Sequence, residues 1–255
     1  MKGLVVGHLY PDELNLYGDN GNVEVVAARC VERGIKCEVI DVGVGKVSSY
    51  PGLGEVNLLF MGGGPDSSQK SVYEDFLIEK KEFVSDYVYS GKVGLFVCGS
   101  YQLLGEFYRS ADGSELKGLG IFNAHTVHFG KNKSRCIGNV RAVLSETITA
   151  DPVFKNVDFL GPHIFGFENH GGRTYLGSDA VPFAKVTHGH GNNSEDGTEG
   201  LLLGNCVGTY FHGPLLAKNP HLADYLIAKA LGVSELPKLD DKLSIASYTA
   251  SKKLR

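Results

Sequence analysis

The stretch "VGLFVCGSYQLLGEFY" (93–108) decides how the chain is read. Its first part, "VGLFVCG", has the apolar run of a strand buried on both faces, and "SYQLLGEFY" reads as a short helix after it. Small residues, Gly99 and Ser100, follow the cysteine between the two. A strand that yields to a helix across such residues belongs to an open parallel sheet, where ligands bind beyond the carboxyl ends of the strands. Cys98 on a tight turn at that place has the position of a nucleophile elbow. The N–H groups of the next helix would favour its thiolate. The same residues also suit a buried thiol that only packs, since free cysteine is among the most buried residue types.

Working outward, the first 110 residues alternate between two periods. "GLVVGHLY" (3–10), "KCEVIDV" (36–42) and "VNLLFMGGG" (56–64) are strand-like, and "NVEVVAARCVERG" (22–34) is a helix closed by Gly34. Between Val72 and Tyr89, apolar residues at 73, 76, 77, 84, 87 and 88 line one helical face. The second half changes character. "NVRAVLS" (139–145), "IFGFENHGGRTYL" (164–176), "AKVTHGHG" (184–191) and "GLLLGNCVGTYFHG" (200–213) read as short strands, and "PHLADYLIAKALG" (220–232) as a closing amphipathic helix. The polar run "GHGNNSEDGTEG" (189–200) reads as a solvent-exposed loop. The expectation is an α/β fold, a doubly wound, mostly parallel sheet flanked by helices with a strand-rich second half. It forms a single domain over 1–236, followed by a C-terminal tail over 237–255.

Composition excludes several classes. With 255 residues, 42% hydrophobic and 21% charged, the chain can bury a sizeable core. A net charge of −4 gives no general attraction to nucleic acid or anionic membranes. The five cysteines, at 30, 37, 98, 136 and 206, are odd in number and lack the spacing of a zinc knuckle or redox dithiol. A reducing cytoplasm suits them, and no run approaches the roughly 20 apolar residues of a membrane span.

A nucleophile needs a base. Of nine histidines, His212 stands out because "VGTYFHGPLL" again ends an apolar strand with a turn. His170, in "FENHGGRTY", follows a strand and precedes two glycines that suit a backbone approaching a ligand. His188 and His190 fall in the polar loop, and without a third ligand cluster they make no metal site. The run "LLFMGGGPDS" (58–67) places three glycines where a buried strand ends, and their N–H groups suit an anion-binding nest. No phosphate loop or dinucleotide fingerprint occurs, so any ATP site would lie on another chain.

Together, "GGGPDS", "CGSYQ" and "TYFHGP", in that order, resemble the class I glutamine amidotransferases. "GFENHGGRTY" and "GTYFHGPLL" are similar to the branch that holds the glutaminase domains of cobyric acid synthases. Adding "HLYPDELNLYGDNGN" (8–22), the chain is similar to GatD-type glutaminase subunits of lipid II isoglutaminyl synthase. The resemblance covers residues from about 8 to about 230. It implies a flavodoxin-like fold, with Cys98 as nucleophile and His212 as base. Oxyanion donors would come from Gly63, Gly64 and Gly99, and glutamine contacts from Arg135, Gln102 and His170. It further implies no metal or cofactor on this chain. ATP and metal would sit on a Mur-ligase-like synthetase partner of the MurT type, which amidates the D-glutamate of the lipid II stem peptide. Two readings compete: ammonia supply to another synthetase, such as a cobyric-acid-type enzyme, and a stand-alone γ-glutamyl cysteine hydrolase. A non-catalytic scaffold is the third, and an intact Cys98, His212 and triple glycine speak against it.

One departure carries weight. Many relatives place an acid two positions after the histidine, and here that position is Pro214. A triad base needs a third group to set its tautomer. The expectation is that another acid in this chain, with Glu168 as the candidate, or, preferably, the partner supplies that acid. The segment "NLYGDNGN" (15–22) is left as a fixed turn, with a partner interface as one possible role.

Overall fold

The computed structural model describes residues 3–130 and 134–253. Four parallel strands, β1 (Leu4–Leu9), β2 (Cys37–Val42), β3 (Leu58–Met61) and β4 (Val93–Val97), build the larger part of a six-stranded sheet. Helices α1 (Gly21–Glu32), α2 (Asp66–Asp75), α3 (Lys81–Tyr89) and α4 (Gly99–Leu104) connect them or follow them. All residues of β3 and β4 are buried, as unbroken apolar runs require when helices cover both faces of a sheet. The chain between Val72 and Tyr89 is helical, as the periodicity predicts, but a π turn over Phe76–Lys80 joins α2 to α3. That turn carries Lys80 inward, where its ammonium donates to Asp75 Oδ2 at 2.7 Å and to the Gly45 carbonyl. Pairing is the condition on which a lysine stays buried.

The second half folds as the strand-rich region expected. β5 (Phe107–Arg109), β6 (Glu115–Lys117) and β7 (Ala124–His128) join β10 (Gly172–Leu176) in one four-stranded sheet. β8 (Cys136–Leu144), β9 (His163–His170), β11 (Ala184–His188) and β12 (Thr198–Glu199) make another. The run "IFGFENHGGRTYL" is therefore two strands in two sheets, parted at Gly171. A Cβ there would stand 2.5 Å from His128 Nε2, so only glycine lets the chain cross. β13 (Leu201–Leu203) and β14 (Cys206–Thr209) return to the first sheet and complete the order β13-β14-β4-β3-β1-β2. β14 lies parallel to β4 and β13 is an antiparallel edge.

Short helices α5 (Glu146–Thr149) and α6 (Pro152–Val157) follow β8, and α7 (Leu215–Lys218) and α8 (Pro220–Leu231) follow β14. The tail carries α9 (Lys242–Ser251), which seats Tyr248 against Phe165 and donates its hydroxyl to His163 O at 3.0 Å. Buried Arg29 of α1 donates to Asp224 of α8 and Asp241 of the tail at 2.6–2.8 Å, tying the three segments together. Among the described residues, no helix is long and apolar enough to cross a membrane.

The polar run 189–200 departs from the solvent-exposed reading. Asn192, Asn193 and Glu199 are buried. Asn192 donates to Gly200 O and Thr198 Oγ1 and accepts from Gly200 N, all within 3.0 Å. Side-chain amides here satisfy the backbone in place of water, which polarity alone does not reveal.

Candidate active site

The carboxyl ends of β4 and β14 lie side by side, with Val97 opposite Thr209. Cys98 and His212 follow those ends, so the sheet's register brings two residues 114 positions apart to one place. Cys98 has φ +55° and ψ −103°, a conformation that side-chain-bearing residues rarely adopt. Two bonds hold it: its N–H donates to Thr209 O at 2.8 Å, and Gln102 N donates to its carbonyl at 3.0 Å. Ser100 donates its hydroxyl to Met61 O at 2.7 Å, stapling the start of α4 to the end of β3. A strained residue persists only where its surroundings over-determine it, and such residues cluster at active sites.

His212 is fully buried. Its Nδ1 lies 2.9 Å from Asp19 Oδ1 and 3.1 Å from Oδ2, both residues being inaccessible to solvent. Its Nε2 makes no hydrogen bond of ordinary geometry, and the Cys98 thiol is the neighbour that acts on that side of the ring. Burial works against a charged imidazole, but the Asp19 carboxylate, and after it the neighbouring Cys98, more than offset it, and the pKa is pushed up to about 10. Tyr17 packs edge-on against the ring, with centroids 5.0 Å apart.

Asp19 is the orienting acid from within this chain, which corrects both the preference for a partner-supplied acid and the choice of Glu168. Glu168 is buried elsewhere, accepting from His190 N at 2.6 Å and Gly191 N at 2.9 Å. The partner has no vacancy to fill, because a carboxylate of this chain already holds Nδ1. Pro214 explains how it arrives there. Its ring lies against Gly21, where an added Cβ would meet Cγ at 2.6 Å, and Asn22 Oδ1 accepts from Leu216 N at 2.9 Å. Both contacts lash the start of α1 to the turn after His212. The sequence signal was the segment "NLYGDNGN", whose fixed turn is real: Tyr17 and Gly18 both have positive φ.

The glycine run also differs from the nest expected. Gly63 N donates to Asp19 Oδ2 at 2.9 Å, so this N–H is spent and cannot serve an oxyanion. Gly63 is instead a spacer: a Cβ there would stand 2.9 Å from Cys98 Cβ and 3.0 Å from His212 Cε1. Its carbonyl accepts from Leu16 N at 2.9 Å. In a trans peptide the next N–H points the opposite way, so the same contact fixes the direction of Gly64 N–H. Gly99 heads α4 and its N–H has no intrahelical acceptor. Among the described residues, the N–H groups of Gly64 and Gly99 remain as donors without an acceptor.

Cys98, Gly64 and the three residues expected to contact substrate line one pocket of about 250 Å³. Gln102 donates Nε2 to Tyr210 OH at 3.0 Å. His170 stacks on Tyr210 with centroids 3.7 Å apart and bonds Gly172 O through Nδ1 at 2.8 Å; burial lowers its pKa. Arg135 is exposed at the rim, donating to Asn169 Oδ1 at 3.0 Å and Asn169 O at 3.1 Å. Among the described residues no group of three or more His, Cys, Asp and Glu could hold a metal.

A sulfur beside an imidazole, an acid behind the imidazole and two free amides can perform acyl transfer from an amide. The family pattern of the CobB/CobQ-like glutamine amidotransferase domain matches residues 5–220. The chain belongs to this family. It is 37% identical over 237 residues to the GatD subunit of lipid II isoglutaminyl synthase (glutamine-hydrolyzing) from Staphylococcus aureus strain N315, covering 93% of this chain and 88% of that one. The GatD subunit from Streptococcus pneumoniae R6 is 36% identical over 248 residues, with 94% and 87% covered. A crystal structure of a glutamine amidotransferase shares the fold at a TM-score of 0.55 and 19% identity, with 89% and 99% covered.

The raised pKa of His212 has a consequence for stability. A group whose pKa is above its ordinary 6.5 stabilises the fold fully below that value and loses the contribution as pH climbs through about 10. Tm is expected to fall from pH 7 to 10 more steeply than in an Asp19→Asn/His212→Gln double variant. Parallel curves in a thermal scan would show that the ring is not charged.

Proposed function

We propose that this chain is the glutaminase subunit of a lipid II isoglutaminyl synthase. It hydrolyses L-glutamine to glutamate and ammonia and passes the ammonia to a Mur-ligase-like, ATP-dependent partner of the MurT type. The partner would amidate the D-glutamate α-carboxyl of the lipid II stem peptide. The observation that carries the reading is the Cys98–His212–Asp19 line at one end of a pocket sized for a small molecule. Similarity to two GatD subunits along most of their length supports the choice of partner over a cobyric-acid-type synthetase.

In this mechanism the Cys98 sulfur attacks the side-chain carbonyl carbon of glutamine. The oxygen takes up negative charge between Gly64 N–H and Gly99 N–H, each worth roughly 3–4 kcal/mol of barrier. His212 gives its Nε2 proton to the departing nitrogen, the C–N bond breaks, and ammonia leaves behind a γ-glutamyl thioester. The neutral imidazole then takes a proton from water, whose oxygen attacks the thioester; glutamate leaves and the thiolate returns. Asp19 holds the ring throughout.

Co-purification with a Mur-ligase-like protein, followed by glutaminase assays of free chain and complex, tests the proposal. Ammonia release and labelling of Cys98 by a cysteine-reactive glutamine analogue are expected, together with lipid II amidation by the complex. Absence of both release and labelling rejects the glutaminase, and failure to bind the Mur-ligase-like protein rejects the partner. Arg135→Ala is expected to raise KM for glutamine at least about tenfold with kcat little changed, because a substrate contact is lost rather than chemistry. An unchanged KM removes Arg135 from the site.

A further inference from the structure

One carboxamide in the wall of the Cys98 pocket has an unused acceptor. Gln69, in the first turn of α2, is 3% exposed and lines the pocket. Its Nε2 donates to Gly64 O at 3.1 Å and reaches Gln102 Oε1 at 3.4 Å. Two acceptors at one end of the amide set its orientation. Oε1 is then left buried without a partner. Leaving such an acceptor unsatisfied is costly, and a native protein that does so needs a reason.

The place of Gln69 suggests the reason. A Cβ built on Gly99 would stand 2.8 Å from Gln69 Nε2 and 2.9 Å from its Cδ. The carboxamide thus lies against the residue after Cys98, at the reacting end of the pocket. Glutamine and glutamate differ at that end by one group, an –NH2 donor in place of a carboxylate oxygen. The free amides of Gly64 and Gly99 are donors, and donors accept either oxygen. An acceptor, by contrast, tells the two apart.

We propose that Gln69 Oε1 accepts a hydrogen bond from the side-chain –NH2 of substrate glutamine and thereby sets its preference over glutamate. This deepens the glutaminase reading and rests on it. With glutamate bound, Oε1 faces a carboxylate oxygen, and two acceptors without a proton between them repel. Sites built to bond a donor reject analogues that lack it far more strongly than apolar pockets reject a missing methylene. The same repulsion appears once hydrolysis has turned the side chain into a carboxylate, so the acceptor also favours product release.

Two variants isolate the acceptor, because both lose the Nε2 clamp on Gly64. Gln69→Met removes Oε1 as well, whereas Gln69→Glu keeps acceptor oxygens at the same reach. The readout is KM for glutamine set against Ki for glutamate as a competitive inhibitor. In Gln69→Met the ratio of KM to Ki is expected to rise at least tenfold over wild type, with glutamate binding as well or better. In Gln69→Glu glutamate should remain a poor inhibitor. The proposal fails if KM and Ki rise together in Gln69→Met, or if both variants show the same ratio, since a purely structural clamp predicts either. If Gln69→Met does not fold, glutamate inhibiting Gln69→Glu more tightly than wild type rejects the proposal by itself. Wild-type protein that neither hydrolyses nor binds glutamine would instead overturn the glutaminase reading.

Discussion

Cys98→Ala is expected to lower kcat for glutamine hydrolysis about 10⁶-fold, the scale on which loss of a triad nucleophile acts, without unfolding the protein. The sulfur borders the pocket, and the bonds that hold residue 98 are made by its backbone, to Thr209 O and from Gln102 N. Removing Sγ leaves those bonds intact. Alanine retains Cβ and with it the cost of φ +55°, on the order of 1–3 kcal/mol. Cys98→Gly sheds that cost, less roughly 0.5–1 kcal/mol for glycine's greater freedom when unfolded. The glycine variant is therefore expected to be equally inactive and to melt a few degrees above the alanine variant. Thermal scans beside an ammonia-release assay check both points. Residual turnover within a hundredfold of wild type would remove the sulfur from the chemistry. A glycine variant melting below the alanine one would show that the bend is unstrained. Function and stability pull in opposite directions at this residue, as the geometry of an elbow requires.

How much of this was legible beforehand depends on where each residue sits. Cys98 and His212 could be read because each ends an apolar strand, and the parallel pairing of β4 with β14 then brings them together without further information. Asp19 could not. It lies in a loop, 193 positions from its histidine, and arrives through contacts of Gly21 with Pro214 and of Asn22 with Leu216. Neither pair carries a periodic signal. Pro214 misled for the same reason, since a proline where relatives have an acid reads as a loss, although its ring helps to place a replacement. Gly63 and Gly64 are indistinguishable as letters. Only the fold reveals that one amide is spent on Asp19 while the other has no acceptor among the described residues. The buried asparagines of 189–200 mark the remaining limit: polar composition reports what water could satisfy, not what the backbone satisfies first.

Asp19→Asn is expected to cost about 10⁴-fold in kcat, the effect of turning a triad carboxylate into an amide. The structure says why the nearly isosteric change is so severe here. Gly63 N–H donates to one oxygen of Asp19, while His212 Nδ1–H points at both. An amide at this position must keep its oxygen toward Gly63, which has only a proton to offer. Its –NH2 is then turned toward His212 Nδ1, which has to give up its own proton to accept. The ring is forced into the neutral tautomer that carries hydrogen on Nε2, and the charge that Asp19 maintained is lost. The imidazole's pKa should drop from about 10, since only Cys98 then opposes burial once the carboxylate is gone. Proton delivery to the departing nitrogen and extraction from water both suffer. Asp19→Ala imposes no wrong tautomer, so it should retain more activity than Asp19→Asn while being less stable, with Nδ1 and Gly63 N–H both left unpaired at about 1–3 kcal/mol each. Steady-state kinetics, with an NMR titration of His212, measure each step. A kcat for Asp19→Asn within tenfold of wild type would show that Asp19 does not set the tautomer. Full recovery of that variant on adding the synthetase would move the orienting acid to the partner.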